Sequence, residues 1–497
     1  MPDNKEIARP RVVFRADGNS RIGLGHVVRS LALAQMLEGE FSCVLAIQEP
    51  EESLLKQLRE VCGEIITLEE QEVTEQEARY LCEQVLEPAD IVVLDGYRFG
   101  TAYQHRIKNR GCALVCIDDI HAYPFVADAV LNMAGGVAKS KYKTAPYTRL
   151  LLGPEYALLR PPFLEAARQE RELPKDGLRL LLNLGGADPE NHTLRLAKEL
   201  AESKSIHAVE IVVGGAYRHL EELQAWLRGK EHITLHQNLS AGEMCRLMQR
   251  CALAVTSASG VAYEYAAVGG LLYVLQTASN QAGLYHFLTS SGVARKYGEL
   301  PNINLASIEE ALARQVQEQR RCFDGRSDER LREEFGKLSL SASLTIRKAN
   351  AEDLMLVYNW NNDPEVRRQS FNPEPIPLAN HQAWFGARLS DATTPIYIAE
   401  AKGVPAAQIR FTLQGSTATI GYLIAREYRG KGLGHVVLLK GVERLKHDHP
   451  EATLVEGLVQ RENPASVRAF EKAGFAYGAP DPEHPEAHRF VLGLNKV

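Results

Sequence analysis

Twice along this chain, short apolar runs of strand character alternate with helical patterns, and at Leu344 the alternation gives way to strands that follow one another closely. No other feature restricts the fold as much. Alternation builds doubly wound α/β sheets, whereas clustered strands build an α+β meander. From Arg11 to about Phe163, "RVVFRAD", "SCVLAIQ", "DIVVLDGY" and "ALVCIDD" read as buried parallel strands. "GHVVRSLALAQML" and "TEQEARYLCEQVL" read as helices. "RPPF" at Arg160–Phe163 breaks the series. A second alternation begins at "LRLLLNLGG" and continues through "AVEIVVGG", "ITLHQN", "LAVTS" and "LLYVLQ". The third unit opens on the strand "LTIRKAN", then the helix "AEDLMLVYNWNN", the strands "IYIAE", "AQIRFTL" and "ATIGYLIA", a glycine-rich turn and helix, the strand "TLVEGLVQ" and a closing helix. A chain of 497 residues exceeds one hydrophobic core. The expected domains are 1–165, 175–338 and 342–497, with "GKLSLSAS" as a short, mildly flexible link.

Composition narrows the function classes. Apolar residues make up 45% and charged residues 24%, with a net charge of −6 and no long basic run, which argues against a nucleic-acid partner. The opening "MPDNKEIARPRVVF" has no apolar signal core, and no stretch is long enough to span a membrane, so a cytoplasmic location is expected. The eight cysteines are scattered, and the four-residue step from Cys112 to Cys116 is neither a zinc nor a redox spacing. Reduced thiols are expected.

The hexapeptide "GLGHVV" occurs twice, at Gly23–Val28 and Gly432–Val437. In the first copy a strand runs through "FRADGNSRIGLGH" into a helix that begins near His26. Gly23 and Gly25 permit a sharp turn close to a ligand, and the free amides of a helix start suit a phosphate. A histidine at the position of His26 can take a proton from water or a hydroxyl. Helix capping or packing is the alternative. Asp17 either orients His26, binds sugar or is a turn residue. "CIDDIHAY" offers Asp118, Asp119 and His121, but strand-end acids more often cap helices or contact polar ligands, so no metal is expected.

In the second unit Gly185, Gly186 and Asp188 end one strand. Ser257, Ser259 and Gly260 form a turn into a helix that carries Glu264 one turn further on, and Asn280 and Gln281 follow another strand. Polar turns at strand ends of two doubly wound domains place a ligand in the cleft between them. Glu264 is placed to accept from ribose hydroxyls, and the serine-glycine turn offers N–H groups to a diphosphate.

Residues 11 to about 335 resemble the GT-B glycosyltransferase architecture. Within it they are similar to the nucleotide-sugar hydrolases of pseudaminic acid biosynthesis, through Phe14, Arg15, Asp17, Ile22, Gly23, Gly25, His26 and Arg29, the Asp118–Asp119 pair, Gly185, Gly186, Asp188 and Glu264. The resemblance implies hydrolysis of UDP-2,4-diacetamido-2,4,6-trideoxy-β-L-altropyranose to UDP and free sugar. His26 would be the base, Arg15 among the substrate contacts, and the anomeric carbon would invert. A glycosyltransferase acting on another acceptor is the alternative.

The second hexapeptide lies in "REYRGKGLGHVV". Arg429, Gly430, Gly432 and Gly434 form a loop whose amides would wrap a pyrophosphate at a helix start. This loop, with Asn463, Ser466 and Gly474–Phe475 of "ENPASVRAFEKAGF", resembles that of GNAT N-acetyltransferases over about Leu344–Val497. Acetyl-CoA is the implied donor. The acceptor implied by the most similar members is the 4-amino group of a UDP-amino sugar one step before the hydrolase. A CoA-binding regulatory module is the competing reading. His435 reads as a helix-surface residue. Phe470 stands where such enzymes often carry a tyrosine that protonates the leaving thiolate, so either Tyr422, Tyr428 or water substitutes or the domain is slow or inactive. Glu456 is the candidate base for the acceptor ammonium, with a solvated strand face as its alternative. Trp384 of "NHQAWF" either covers the acceptor pocket or packs in the core.

Overall fold

The computed structural model describes residues 9–18, 24–69, 75–171, 178–186, 188–203, 206–302 and 307–494. Three sheets follow one another. The first holds β1 (Arg11–Ala16), β2 (Ser42–Gln48), β3 (Glu64–Leu68), β4 (Ile91–Asp95), β5 (Ala113–Ile117), β6 (Ala129–Asn132) and β7 (Arg149–Leu152). Its order is β3-β2-β1-β4-β5-β6-β7, and every pairing is parallel. The second holds β8 (Arg179–Asn183), β9 (Ala208–Val213), β10 (Ile233–Gln237), β11 (Leu253–Ser257), β12 (Leu271–Leu275) and β13 (Arg295–Lys296), in the order β10-β9-β8-β11-β12-β13, again parallel. Both are doubly wound, as the alternation predicts. The chain reverses direction across each sheet between its first strand and the neighbouring crossover strand, β1/β4 and β8/β11. The strands β3, β6 and β7 had no clear signal in the sequence.

The third sheet holds β14 (Leu344–Lys348), β15 (Ile396–Ala401), β16 (Val404–Gln414), β17 (Thr417–Ile424), β18 (Leu454–Gln460), β19 (Ala476–Tyr477) and β20 (Ala487–Gly493). Its order is β14-β15-β16-β17-β18-β20-β19. The meander β14–β17 is antiparallel, and β17 and β18 are parallel. The closing hairpin β19–β20 is an addition to the expected elements.

The first two units share a core. Phe14 and Leu45 of one and Ala254 and Tyr265 of the other belong to a single apolar cluster. The chain crosses between them twice. Helix Pro161–Arg168 leaves the first unit and packs on helices Ala241–Arg250 and Gly260–Val268 of the second. Helix Ser327–Ala342 returns to pack on β4, β5 and helix Gly25–Met36. This return changes the account of "GKLSLSAS". Gly336–Ala342 forms the end of that helix, which reaches within two residues of β14. Leu331, Phe335 and Leu338 are buried along one stripe, and Phe335 meets Phe41 edge to face at 6.1 Å. Burial at i, i+4 and i+7 holds the segment helical.

Candidate functional site

Parallel strands bring their C-terminal ends to one edge, so β1, β4 and β5 deliver their following loops together. Helix Gly25–Met36 starts there, with no side-chain cap and no acid in its first turn. His26, its second residue, sets Nδ1 2.7 Å from Oδ1 of Asp95, the last residue of β4. Arg29 Nη2 lies 3.0 Å from the same Nδ1, so Asp95 and Arg29 together hold that edge of the imidazole ring. Asp95 is fully buried and also accepts from Arg29, at 2.7 Å from Nε and 2.6 Å from Nη2, and from the Ser30 hydroxyl at 3.3 Å. Arg29 reaches Asp119 at 3.1 Å. Burial opposes the charge on Arg29, but Asp95 and Asp119 more than offset it and push the guanidinium above its ordinary range. Tyr97 meets the His26 ring edge-on at 4.8 Å. Leu24, Val28, Tyr97 and Ile120, all near this edge, are exposed large apolar side chains.

Asp95 is the orienting residue the sequence did not single out. Its signal was the strand-ending "VLDG", but the strand that neighbours β1 is fixed only by the sheet order. Asp17 does not reach His26. Its Oδ1 accepts from Arg15 Nη1 at 2.5 Å and from the Gln48 amide at 3.0 Å. Nor is Arg15 a substrate contact. It is fully buried, donates to both Glu77 oxygens at 2.8 and 2.9 Å, and lies over the Phe99 ring. A guanidinium with no solvent exposure and two carboxylate partners braces the domain interior. Asp118 accepts from the amides of Ile120 and His121 and so closes its own turn. Gly23 lies outside the described residues. A Cβ added at Gly25 would meet nothing within 4 Å.

At the matching edge of the second sheet, Gly185 has φ +100°, a conformation that favours glycine, and its amide donates to Asn183 Oδ1 at 2.9 Å. Gly186 is exposed beside Gly214, where a Cβ would come 2.8 Å from the Gly186 Cα. Asp188 turns inward. Its carboxylate accepts from the His192 and Thr193 amides at 3.0 and 2.6 Å and so caps helix His192–Ala201, which withdraws it from direct ligand contact. Ser257 and Ser259 hold their hydroxyls 2.9 Å apart. No side chain caps helix Gly260–Val268, and a Cβ at Gly260 would meet open space. Glu264, one turn on, takes Arg160 Nε at 2.8 Å and Nη2 at 2.7 Å. Burial raises its carboxyl above the ordinary value, against the pull of Arg160. Gln281 accepts from the Thr277 amide and hydroxyl within its own loop, and Asn280 is exposed.

The two edges meet. Tyr263 donates its hydroxyl to Met133 O at 3.0 Å, just past β6, and a Cβ at Gly135 would overlap the Phe287 ring. His26 and the Gly260 helix start each lie at the crossover point of their sheet, where open α/β sheets bind ligands.

In the third unit, β17 and β18 pair only from Thr417↔Leu454 to Ile420↔Gly457, then splay apart. The loop between β17 and helix Gly434–Asp448 has positive φ at Gly430 (+75°) and Gly432 (+80°), and no side chain caps the helix. Arg429 supports this loop from behind, donating to Ile424 O at 3.0 Å and pairing with Asp363 at 2.9 Å. Gly434 is required by packing, because a Cβ there would lie 2.9 Å from that of Ala469. Asn463 caps helix Pro464–Lys472 through the Ser466 amide at 3.1 Å, and the Ser466 hydroxyl meets that of Tyr422 at 3.2 Å. Phe470 is buried, stacked on Phe490 at 5.1 Å.

Two expectations change here. His435 is not on a free helix surface: its ring stacks on Tyr147 of the first unit at 6.3 Å and 11°. Burial lowers its pKa to about 4, with Lys472 the largest charge contribution. Glu456 is not a free base. Arg489 donates to it at 2.9 and 2.6 Å, and Thr419 donates its hydroxyl at 3.1 Å. Trp384 lines a cavity, while its neighbour Phe385 is fully buried in the core.

The fold and the glycine loop define an acetyltransferase-type sheet joined to two doubly wound ones. Residues 343–476 match the family model described as the acetyltransferase (GNAT) domain. The preceding part is similar to the UDP-2,4-diacetamido-2,4,6-trideoxy-beta-L-altropyranose hydrolase of Campylobacter jejuni, 26% identical over 298 residues that cover 58% of this chain and 99% of that protein. It is also similar to the spore coat polysaccharide biosynthesis protein SpsG of Bacillus subtilis, 25% identical over 288 residues, 57% of this chain and 82% of that one. An uncharacterized protein of Methanocaldococcus jannaschii is 22% identical over 492 residues, 94% of this chain and 96% of its own length. Among the described residues no helix is long and apolar enough to cross a membrane.

Proposed function

We propose that the first two units hydrolyse UDP-2,4-diacetamido-2,4,6-trideoxy-β-L-altropyranose to UDP and the free sugar. The third unit acetylates the 4-amino group of the preceding UDP-sugar, as consecutive steps of nonulosonic (pseudaminic) acid formation. The observation that supports this reading is the His26–Asp95 pair at the β1/β4 crossover, with the uncapped Gly260 helix start at the β8/β11 crossover.

Asp95 holds the His26 ring through Nδ1, and Nε2 takes a proton from water as the water oxygen bonds to the anomeric carbon. The C–O bond to the diphosphate breaks, and its electron pair leaves with UDP. The backbone N–H groups at the Gly260 helix start and the hydroxyls of Ser257 and Ser259 receive the diphosphate charge. A single displacement inverts the anomeric carbon. Glu264, held by Arg160, accepts from the ribose hydroxyls. The exposed apolar side chains near His26 suit a sugar that carries a 6-methyl and two acetyl methyl groups.

Acetyl-CoA supplies the acetyl group as a thioester. The splay of β17 from β18 and the Gly430–Gly434 amides fit its pantetheine arm and pyrophosphate. The Tyr422 hydroxyl, kept protonated by burial, gives a proton to the leaving sulfur, which Phe470 cannot do. Full-length protein supplied with the 4-amino UDP-sugar alone should release UDP slowly, and quickly once acetyl-CoA is added, with mass spectrometry following both products. Equal rates with and without acetyl-CoA contradict this order, and UDP release that requires an added acceptor contradicts hydrolysis.

A further inference from the structure

A cavity of about 330 Å³ opens beneath helix Leu378–Leu389, between it and β15–β17. Its wall includes Trp384, Arg388, Thr394, Arg410, Thr419 and Gly421. Arg410 projects from the middle strand β16. Its guanidinium lies 5.5 Å from the centre of the Trp384 ring, and a Cβ at Gly421 would come 3.0 Å from its Nε. Glycine at 421 thus leaves room for this side chain.

The charge in this cavity is unbalanced. Arg410 is exposed at the cavity, and Arg388 in the same wall adds a second positive charge. Arg388 pairs with Asp391 at 3.2 Å. Arg367 donates only to the neutral oxygens of Asn372, Glu374 and Ser370, and its buried Nε has no partner. Glu456 touches the cavity wall through Thr419 but is neutralised by Arg489. A molecule that brings negative charge alongside its amine is favoured in such a site.

We infer that Arg410 is the specificity-determining residue of the acceptor cavity, and that it binds a phosphate oxygen of a nucleoside-diphosphate-linked amine. The inference rests on the reading of this unit as an acetyltransferase. A guanidinium held by an aromatic face and a neighbouring strand keeps its fork of N–H donors pre-oriented for two phosphate oxygens. Arg388 at the cavity wall adds attraction for the second phosphate. Acetylation before loss of UDP follows directly, because the free amino sugar lacks the group that Arg410 holds.

The test compares initial rates of CoA thiol release by full-length protein with the UDP-linked 4-amino sugar and with the same sugar lacking UDP. Arg410→Gln should lower kcat/KM for the UDP-linked acceptor roughly 10- to 100-fold through KM, the range for one charge-assisted contact. The free amino sugar and the KM for acetyl-CoA should stay within about twofold, and Arg410→Lys should recover part of the loss. UDP should inhibit acetylation of the free sugar competitively in the wild type and much less in Arg410→Gln. Equal losses on both acceptors, or a raised KM for acetyl-CoA alone, would overturn the assignment and leave the acetyltransferase reading standing. If the wild type binds acetyl-CoA but acetylates neither acceptor, the acetyltransferase reading falls and this inference with it.

Discussion

His26 Nδ1 and Asp95 Oδ1 lie 2.7 Å apart although 69 positions separate them in the chain. The contact exists because β1 and β4 are adjacent parallel strands, paired from Val12↔Ile91 to Ala16↔Asp95. Arg29, one turn along the helix from His26, holds the same carboxylate. In the proposed displacement, a proton gained by His26 is stabilised by the Asp95 carboxylate that Arg29 also holds.

Asp95→Asn preserves the shape but can present its amide N–H to Nδ1 and so favour the wrong tautomer. UDP release should fall on the order of 10²–10⁴-fold in kcat, with acetyl transfer unchanged. Circular dichroism must show an intact fold, because Arg29 loses its charge partner. Asp17→Asn, away from His26, should change UDP release by less than about tenfold, roughly 1.4 kcal/mol in barrier.

Gly434→Ala places a methyl group 2.9 Å from the Ala469 Cβ. Forcing helices Gly434–Asp448 and Pro464–Lys472 apart should cost about 1–3 kcal/mol and shift the amides that meet the pyrophosphate. Ala469→Gly in the same chain should restore much of both stability and acetyl-CoA affinity. Calorimetric binding and thermal unfolding of the two single variants and the double variant measure the coupling. Additive losses would show that the helix contact is not the reason for glycine.

The first and third units meet where His435 stacks on Tyr147, with Lys108, Asp128, Arg149 and Lys472 acting on the ring. Burial holds His435 neutral, with its pKa down at about 4 from the ordinary 6.5. Between those values the unfolded chain binds a proton that the folded chain does not, so stability falls as pH drops through this window and is unaffected above it. His435→Gln should narrow the difference in unfolding midpoint between pH 7.5 and pH 5. An unchanged difference would show that the ring is solvated in solution.

The alternation of strands and helices carried both doubly wound sheets, and the glycine turns marked the C-terminal ends of their strands. Partners across a sheet were less legible. Arg15 and Asp17 sit beside His26 in sequence, yet Arg15 points to the face that Glu77 and Phe99 cover, and it draws Asp17 with it. Asp95 carried no local mark beyond ending a strand. The serines and glycine of "GKLSLSAS" suggested flexibility, but Leu331, Phe335 and Leu338 needed a helix to bury their stripe against the first unit. Arg410 looked like any charge alternating along a strand until Trp384 and Gly421 placed it in a cavity.

The central claim is that His26 activates water in a UDP-sugar hydrolase that works independently of the acetyltransferase. It is tested most directly by measuring UDP release from the diacetamido UDP-sugar, with no acceptor and no acetyl-CoA, by wild type and His26→Ala. Acetyl transfer to the 4-amino UDP-sugar is measured on the same preparations. The wild type should release UDP, and His26→Ala should lose that activity on the order of 10²–10⁴-fold while acetylating normally. UDP release by His26→Ala at the wild-type rate, or none from the wild type until a sugar acceptor is added, would contradict the account.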